Sequence, residues 1–171
     1  AQQLDTRFSP IIPQLKVIKG EPKITGLALL SHAGIYVTSL TLSEGPLALS
    51  LQKFFTEKIP ISLYISSNKI QESKEFRRVS IAIKQIKRKV KTKVVNGHFQ
   101  FDIQLTLYAD LVERMFFLDV EKHAKLLKEM IEEQLNAEYM RLIQKTQKNQ
   151  IDPMGFGVYA RAKHYDKWKK V

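Results

Sequence analysis

The chain has 171 residues, 44% hydrophobic and 26% charged, a composition that supports one globular core without covalent staples. It contains no cysteine, which excludes disulfides, thiolate metal sites, iron–sulfur clusters and cysteine nucleophiles, and its apolar runs fall far short of the roughly 20 residues that cross a bilayer as a helix. A net charge of +11 points to anionic partners, whether nucleic acid, lipid headgroups or acidic proteins, without choosing among them.

Residues 1–13 place Pro10 and Pro13 beside Ile11 and Ile12 and read as a linker or the end of a preceding domain, leaving residues 14–171 as one domain. Residue 1 is Ala and no signal peptide is visible, so the chain reads as part of a longer precursor whose targeting signal lies elsewhere. A strand is expected from about Lys23 to Ser31, a turn at His32-Ala33-Gly34, and a second strand from Ile35 to Leu42. Ser43 is placed to cap a helix, with Glu44 favourable and Pro46 tolerated in its first turn. Leu47, Leu51, Phe54 and Phe55 give that helix one apolar face. Pro60 lies past its end, and Ile61 to Ser66 suits another strand.

The sharpest signal lies between Arg77 and Glu113. Asn96-Gly97 suits a two-residue type I′ turn, in which both positions take positive φ. That turn sets a register: Val95 opposite His98, Val94 opposite Phe99, Thr92 opposite Phe101, Val90 opposite Ile103, Ile86 opposite Leu107. The other face then pairs Lys93 with Gln100, Lys91 with Asp102, Lys89 with Gln104 and Lys87 with Thr106. One face is mostly apolar and the other polar, and a slip of one residue would scramble both. Arg88, opposite Leu105, is the exception on the apolar face and belongs near the edge of the core. Val79, Ile81 and Ile83 are out of phase with Ile86, Val90 and Val94, which calls for a β-bulge around Lys84 to Gln85.

From Asp119, a suitable N-cap, to Asn149 the pattern becomes helical. Val120, Ala124, Leu127, Ile131, Leu135, Tyr139 and Leu142 recur every three or four residues. A rod of roughly 45 Å follows from the rise per residue, and its stripe should lie on the apolar face of the hairpin. Asp152-Pro153 suggests the start of a short helix, and Tyr165 to Lys170 the start of another. The fold expected is α+β: a mostly antiparallel sheet, a long helix over about 119–149 on one face, and short helices. The irregular order of elements argues against a doubly wound nucleotide-binding fold.

The lysines at 87, 89, 91 and 93 form a ladder on one strand face. Lys87, Lys89, Lys91 and Lys93 either contact an anionic surface or simply face water, where lysines also discourage edge-to-edge aggregation. Nucleic acid is poorly supported, because Phe99 and Phe101 point to the opposite face and build no stacking platform among the lysines. His32, His98, His123 and His164 show no metal-ligand spacing. Asp110, Glu113 and Asp119 suit a loop and a helix cap better than paired acid–base catalysts. Gly155-Phe156-Gly157 lacks the spacing and the Lys-Ser/Thr of a phosphate loop, so these are turn or close-packing glycines. No catalytic constellation, metal site or cofactor site is expected.

The stretch Gln147-Lys148-Asn149-Gln150-Ile151-Asp152-Pro153-Met154-Gly155-Phe156-Gly157, then Arg161-Ala162-Lys163-His164 and Trp168-Lys169-Lys170, resembles the C-terminal signature of the Ger(x)C family of spore-germination lipoproteins. Ile24-Thr25-Gly26-Leu27-Ala28-Leu29-Leu30 is similar to the strand that opens the family's last domain, and Leu40 to Leu51 to the helix after it. Tyr165 stands where the family often has proline, and Gly45 and Pro46 are atypical. The resemblance implies the non-catalytic C subunit of a nutrient germinant receptor. Such a subunit is held at the outer surface of the inner spore membrane by a lipid anchor on a cysteine outside this chain. Its implied partners are the integral-membrane A and B subunits and the anionic membrane surface. The family usually continues past the tryptophan segment, so the resemblance also implies a domain truncated at its C-terminus. Two readings compete: direct binding of a small-molecule germinant, and nucleic-acid binding justified by charge alone.

Overall fold

Two three-stranded antiparallel sheets, ordered β1-β2-β3 and β4-β5-β6, carry the first two thirds of the chain. The computed structural model describes residues 9–52, 58–66, 70 and 72–169. In the first sheet β1 (Ile11–Ile18) pairs with β2 (Glu21–Leu30), and β2 with β3 (Tyr36–Leu40). Ile11, Ile12 and Pro13, read above as linker, therefore form strand, opposite Leu29, Ala28 and Leu27. β1 is an edge strand, where a proline removes no ladder bond that the sheet depends on. Most of its side chains are exposed, so no apolar alternation marks it in the sequence.

The helix α1 spans Glu44–Leu51. Its cap is not Ser43, which has helical backbone angles and makes no side-chain cap bond. Thr41 does that work. Its Oγ1 accepts from the Glu44 N–H at 3.2 Å, and Glu44 Oε2 accepts from the Thr41 N–H at 2.8 Å. This reciprocal pair satisfies two otherwise orphaned donors. Pro46 falls in the first turn, where its missing N–H costs nothing. Phe54 and Phe55 lie outside the described residues.

Glu44 also reaches α2 (Val120–Lys148): Lys145 Nζ donates to both carboxylate oxygens, at 2.9 and 3.0 Å. Burial works to raise the Glu44 pKa. The Lys145 hydrogen bond and charge and the Thr41 N–H outweigh it, so the carboxyl ends below its ordinary value. A depressed carboxylate contributes stability above its unfolded pKa and loses it as pH falls through the folded one. Glu44→Gln keeps an acceptor for Thr41 but removes the ion pair. Urea titrations should show it less stable than the parent near neutrality, by under about 1 kcal/mol since water still reaches the pair. The gap should close below about pH 4.

β4 (Ile59–Tyr64) starts two residues earlier than the sequence suggests and includes Pro60, again on an edge. It buries Ile59, Ile61 and Leu63 and pairs with β5 (Arg78–Val95), which turns back through Asn96-Gly97 into β6 (His98–Arg114). Asn96 and Gly97 have φ of 48° and 80°, as a type I′ turn requires. The register is the one the turn dictates, from Val95↔His98 to Ile86↔Leu107. The phase break falls between Ile83 and Gln85, so Lys84 is the bulged residue. A further irregularity between Ser80 and Ile81 leaves Val112 without a partner on β5.

Asp119 caps α2 by accepting from the Lys122 N–H at 3.3 Å. The stripe of α2 buries Leu127, Leu135, Tyr139 and Leu142, joined by Met130. Its backbone comes closest to α1 and β4, and its buried residues belong to the same core cluster as Val79, Ile81 and Ile83 of β5. The architecture is thus α+β, with the long helix on one face of an antiparallel sheet.

The turn after α2 is tied to the rest of the molecule by Asp152. Helix α3 (Phe156–Lys163) begins later than Asp152-Pro153 suggests, with left-handed Gly155 at its N-cap position (φ 76°). The Asp152 carboxylate still performs the capping, accepting from the N–H groups of Phe156 at 2.9 Å and Gly157 at 2.6 Å. A Cβ on Gly157 would sit 3.2 Å from that carboxylate, so both glycines serve the turn. α4 (Tyr165–Trp168) follows directly, and Lys170 lies outside the described residues.

Candidate interaction surfaces

The β5–β6 hairpin has two unlike faces because alternate residues of a strand point in opposite directions. Lys87, Lys89, Lys91 and Lys93 all project from the face opposite the core and are exposed. Alternate residues recur at about 6.7 Å. Neighbouring ammonium groups at that spacing repel by roughly 0.6 kcal/mol in water, before salt screening. Across the ladder stand Thr106, Gln104, Asp102 and Gln100, so a single acid faces four cations. Among the described residues none of the four forms an ion pair. Lys87 lies over the Tyr108 ring, 5.1 Å from its centroid. Lys84, at the bulge, is neutralised by Asp110 at 2.6 Å. The four unpaired cations therefore lie on the tip side of the bulge.

The opposite face is apolar with one charged intrusion. Arg88 donates to the carbonyls of Leu51 and Gln52, which end α1. The arginine among hydrophobic residues is thus a C-terminal cap for a helix 36 residues away in sequence. Desolvation lowers its pKa, against the raising influence of the nearby Tyr159 and Tyr139 hydroxyls. Tyr139 bonds to Ser50 at 2.7 Å, and burial pushes its own pKa up.

Between this face and α2 lies an open groove of about 720 Å³. Ile103, Leu105 and Leu107 of β6 form one wall, and Leu127, Ile131 and Leu135 of α2 the other. Asp110, Lys128 and Glu132 are at its rim, and each is already paired: Asp110 with Lys84, and Lys128 with Glu132 at 3.6 Å. The walls of the groove are mainly apolar, with Thr106, Asn136 and Tyr139 among the polar lining residues.

The other polar candidates go to separate tasks. Asp110 pairs with Lys84, Glu113 stands opposite Ser80, and Asp119 caps α2. His164 Nε2 is 3.2 Å from the Thr92 carbonyl, and its ring lies 6.3 Å from Phe99. Among the described residues no three His, Asp or Glu side chains gather where they could hold a metal ion. No helix of the described residues is long and apolar enough to cross a membrane. The seating of α3 and α4 against the tip half of the hairpin is the feature that sequence reading missed. It depends on contacts between Phe156 and Phe101 and between His164 and Phe99, separated by more than fifty positions.

Residues 25–171 match the family described as spore germination B3/GerAC like, C-terminal. The fold is similar to the crystal structure of the GerBC protein, with a TM-score of 0.72 and 23% sequence identity. The similarity covers 97% of this chain and 50% of that one, so the chain spans about half the length of that protein. No curated protein matches.

Proposed function

Since this chain belongs to the spore germination B3/GerAC-like C-terminal family, we propose that it serves as a non-catalytic interaction domain of a nutrient germinant receptor. The family match over residues 25–171 carries this reading. The full protein would be the lipid-anchored C subunit, held at the outer surface of the inner spore membrane beside the integral-membrane A and B subunits. The exposed ladder of Lys87, Lys89, Lys91 and Lys93 supplies a second, electrostatic contact with the anionic membrane. One acyl chain alone gives marginal binding, and basic residues next to the surface add to it.

A second reading, direct capture of the germinant, draws on the groove of about 720 Å³, within the size range of small-molecule sites. Its apolar walls suit a polar nutrient poorly, because an amino acid or sugar needs convergent hydrogen-bonding groups. Pull-down of the tagged full-length protein from solubilised spore membranes separates the two readings when combined with calorimetry. The interaction role predicts recovery of both integral-membrane subunits and no heat with amino acids or sugars. Recovery of the protein alone would defeat it, and saturable nutrient binding would favour the sensor.

A further inference from the structure

We propose that the domain docks end-on to an anionic lipid surface, through the tip of the β5–β6 hairpin and the two short helices behind it. The inference rests on the lysine ladder meeting a membrane but adds a second row of contacts and an orientation. Lys89, Lys91 and Lys93 project from one face of the tip half. On the other face α3 and α4 are fixed by Phe156 against Phe101, with ring centroids 5.9 Å apart, and by His164 against Phe99 and the Thr92 carbonyl. Thr92 is four residues from the turn, a rise of about 13 Å. Exposed Lys163, next to His164, is thereby brought to the same end, and exposed Lys167 and Lys169 follow on α4, with Asp166 as the acid among them.

Cations thus flank both broad faces of the hairpin near its tip. On the body of the domain several cations already have acids beside them: Lys84 has Asp110, Lys125 has Glu129, Lys128 has Glu132 and Arg141 has Glu138. A flat anionic body lying along the ladder would reach one row only. A plane that meets the tip end-on lies within reach of both. The tip presents Val95, 43% exposed, and Tyr165 is 54% exposed beside His164, an apolar and an amphipathic group suited to a headgroup region. A single-stranded nucleic acid would need a row of aromatic rings to stack on; Phe99 and Phe101 are engaged by the helices, and exposed Tyr165 does not make a row.

Co-sedimentation with phosphatidylcholine vesicles, with and without phosphatidylglycerol, tests the orientation. Lys91→Glu/Lys93→Glu and Lys163→Glu/Lys167→Glu should each weaken binding to the anionic vesicles by at least about twentyfold, at about fivefold per lysine lost. Lys125→Glu/Lys128→Glu, the same change in net charge on α2, should weaken it far less. The matching Lys→Gln pairs guard against misfolding and should give smaller losses in the same order. The chain has no cysteine, so Val95→Cys provides a single labelling site. An environment-sensitive dye there should shift to the blue on anionic vesicles only. If the ladder pair matters while the helix pair and the dye do not respond, the hairpin lies flat and the end-on inference falls while the ladder reading stands. Equal binding to neutral vesicles, or none to anionic ones, overturns both. Displacement by duplex DNA at matched phosphate concentration would identify a nucleic-acid site and overturn the lipid assignment.

Discussion

Gly26→Ala is expected to destabilise the domain by about 3 kcal/mol, at the upper end of overpacking costs. A Cβ on Gly26 would stand 2.3 Å from the Leu40 carbonyl oxygen and 3.5 Å from its carbon. That oxygen belongs to the backbone of β3, next to its pairing with Leu27, and has no rotamer with which to retreat. The sheet must open there, and opening it disturbs Leu29 and Leu40, both essentially inaccessible to water. Gly45→Ala is the informative contrast. Its Cβ would meet the Leu27 Cδ1 at 3.0 Å, the far end of a side chain that can shift, and alanine favours the helix by up to about 1 kcal/mol. Urea denaturation should therefore give a sharply lowered midpoint for Gly26→Ala and little change for Gly45→Ala. Equal midpoints for the two variants would mean that the approach of β3 to Gly26 is not a constraint on this sheet.

Gly26 illustrates what a sequence discloses. Its place in Ile24-Thr25-Gly26-Leu27-Ala28-Leu29-Leu30 marks it by resemblance, but the reason for it is a carbonyl fourteen positions away. Local chemistry was legible wherever one signal dictated many pairings. Asn96-Gly97 set the register of the eleven residue pairs between the turn and the bulge, and the change of phase near Lys84 placed the bulge. The exposed ladder followed from that register. β1 was not legible, because Pro10 and Pro13 suggested a linker and the exposed strand has no apolar alternation. The true cap of α1 was available as Thr41-x-x-Glu44, the spacing of a capping box, but Ser43 stands closer to the apolar run and drew the assignment. The groove and the seating of α3 and α4 were out of reach. They depend on how far α2 stands from β6 and on ring contacts between distant segments, and no periodicity encodes either.

Arg88 sits between these cases, and its replacement has the other large expected effect. Its position opposite Leu105 announced an anomaly on an apolar face without giving its cause. The cause is that α1 ends at Leu51 facing β5, so its last carbonyls need donors from the sheet side. The guanidinium supplies two, to Leu51 and Gln52, and its positive charge complements the negative end of the helix. Arg88→Met preserves the aliphatic stem and the apolar packing of the strand. It removes both donors and leaves two half-buried acceptors to find water. Hydrogen bonds to a charged group contribute about 1.5–3 kcal/mol each, and the arginine's desolvation cost is recovered when it is removed. A net loss of about 3 kcal/mol is expected in thermal or urea unfolding. Hydrogen exchange gives the specific signature: protection should fall first at α1, and the hairpin amides around Asn96-Gly97 should keep theirs. If Arg88→Met unfolds at the parent's midpoint with α1 amides still protected, the helix ends without the sheet's help, and the arginine would be only a tolerated charge at the core's margin.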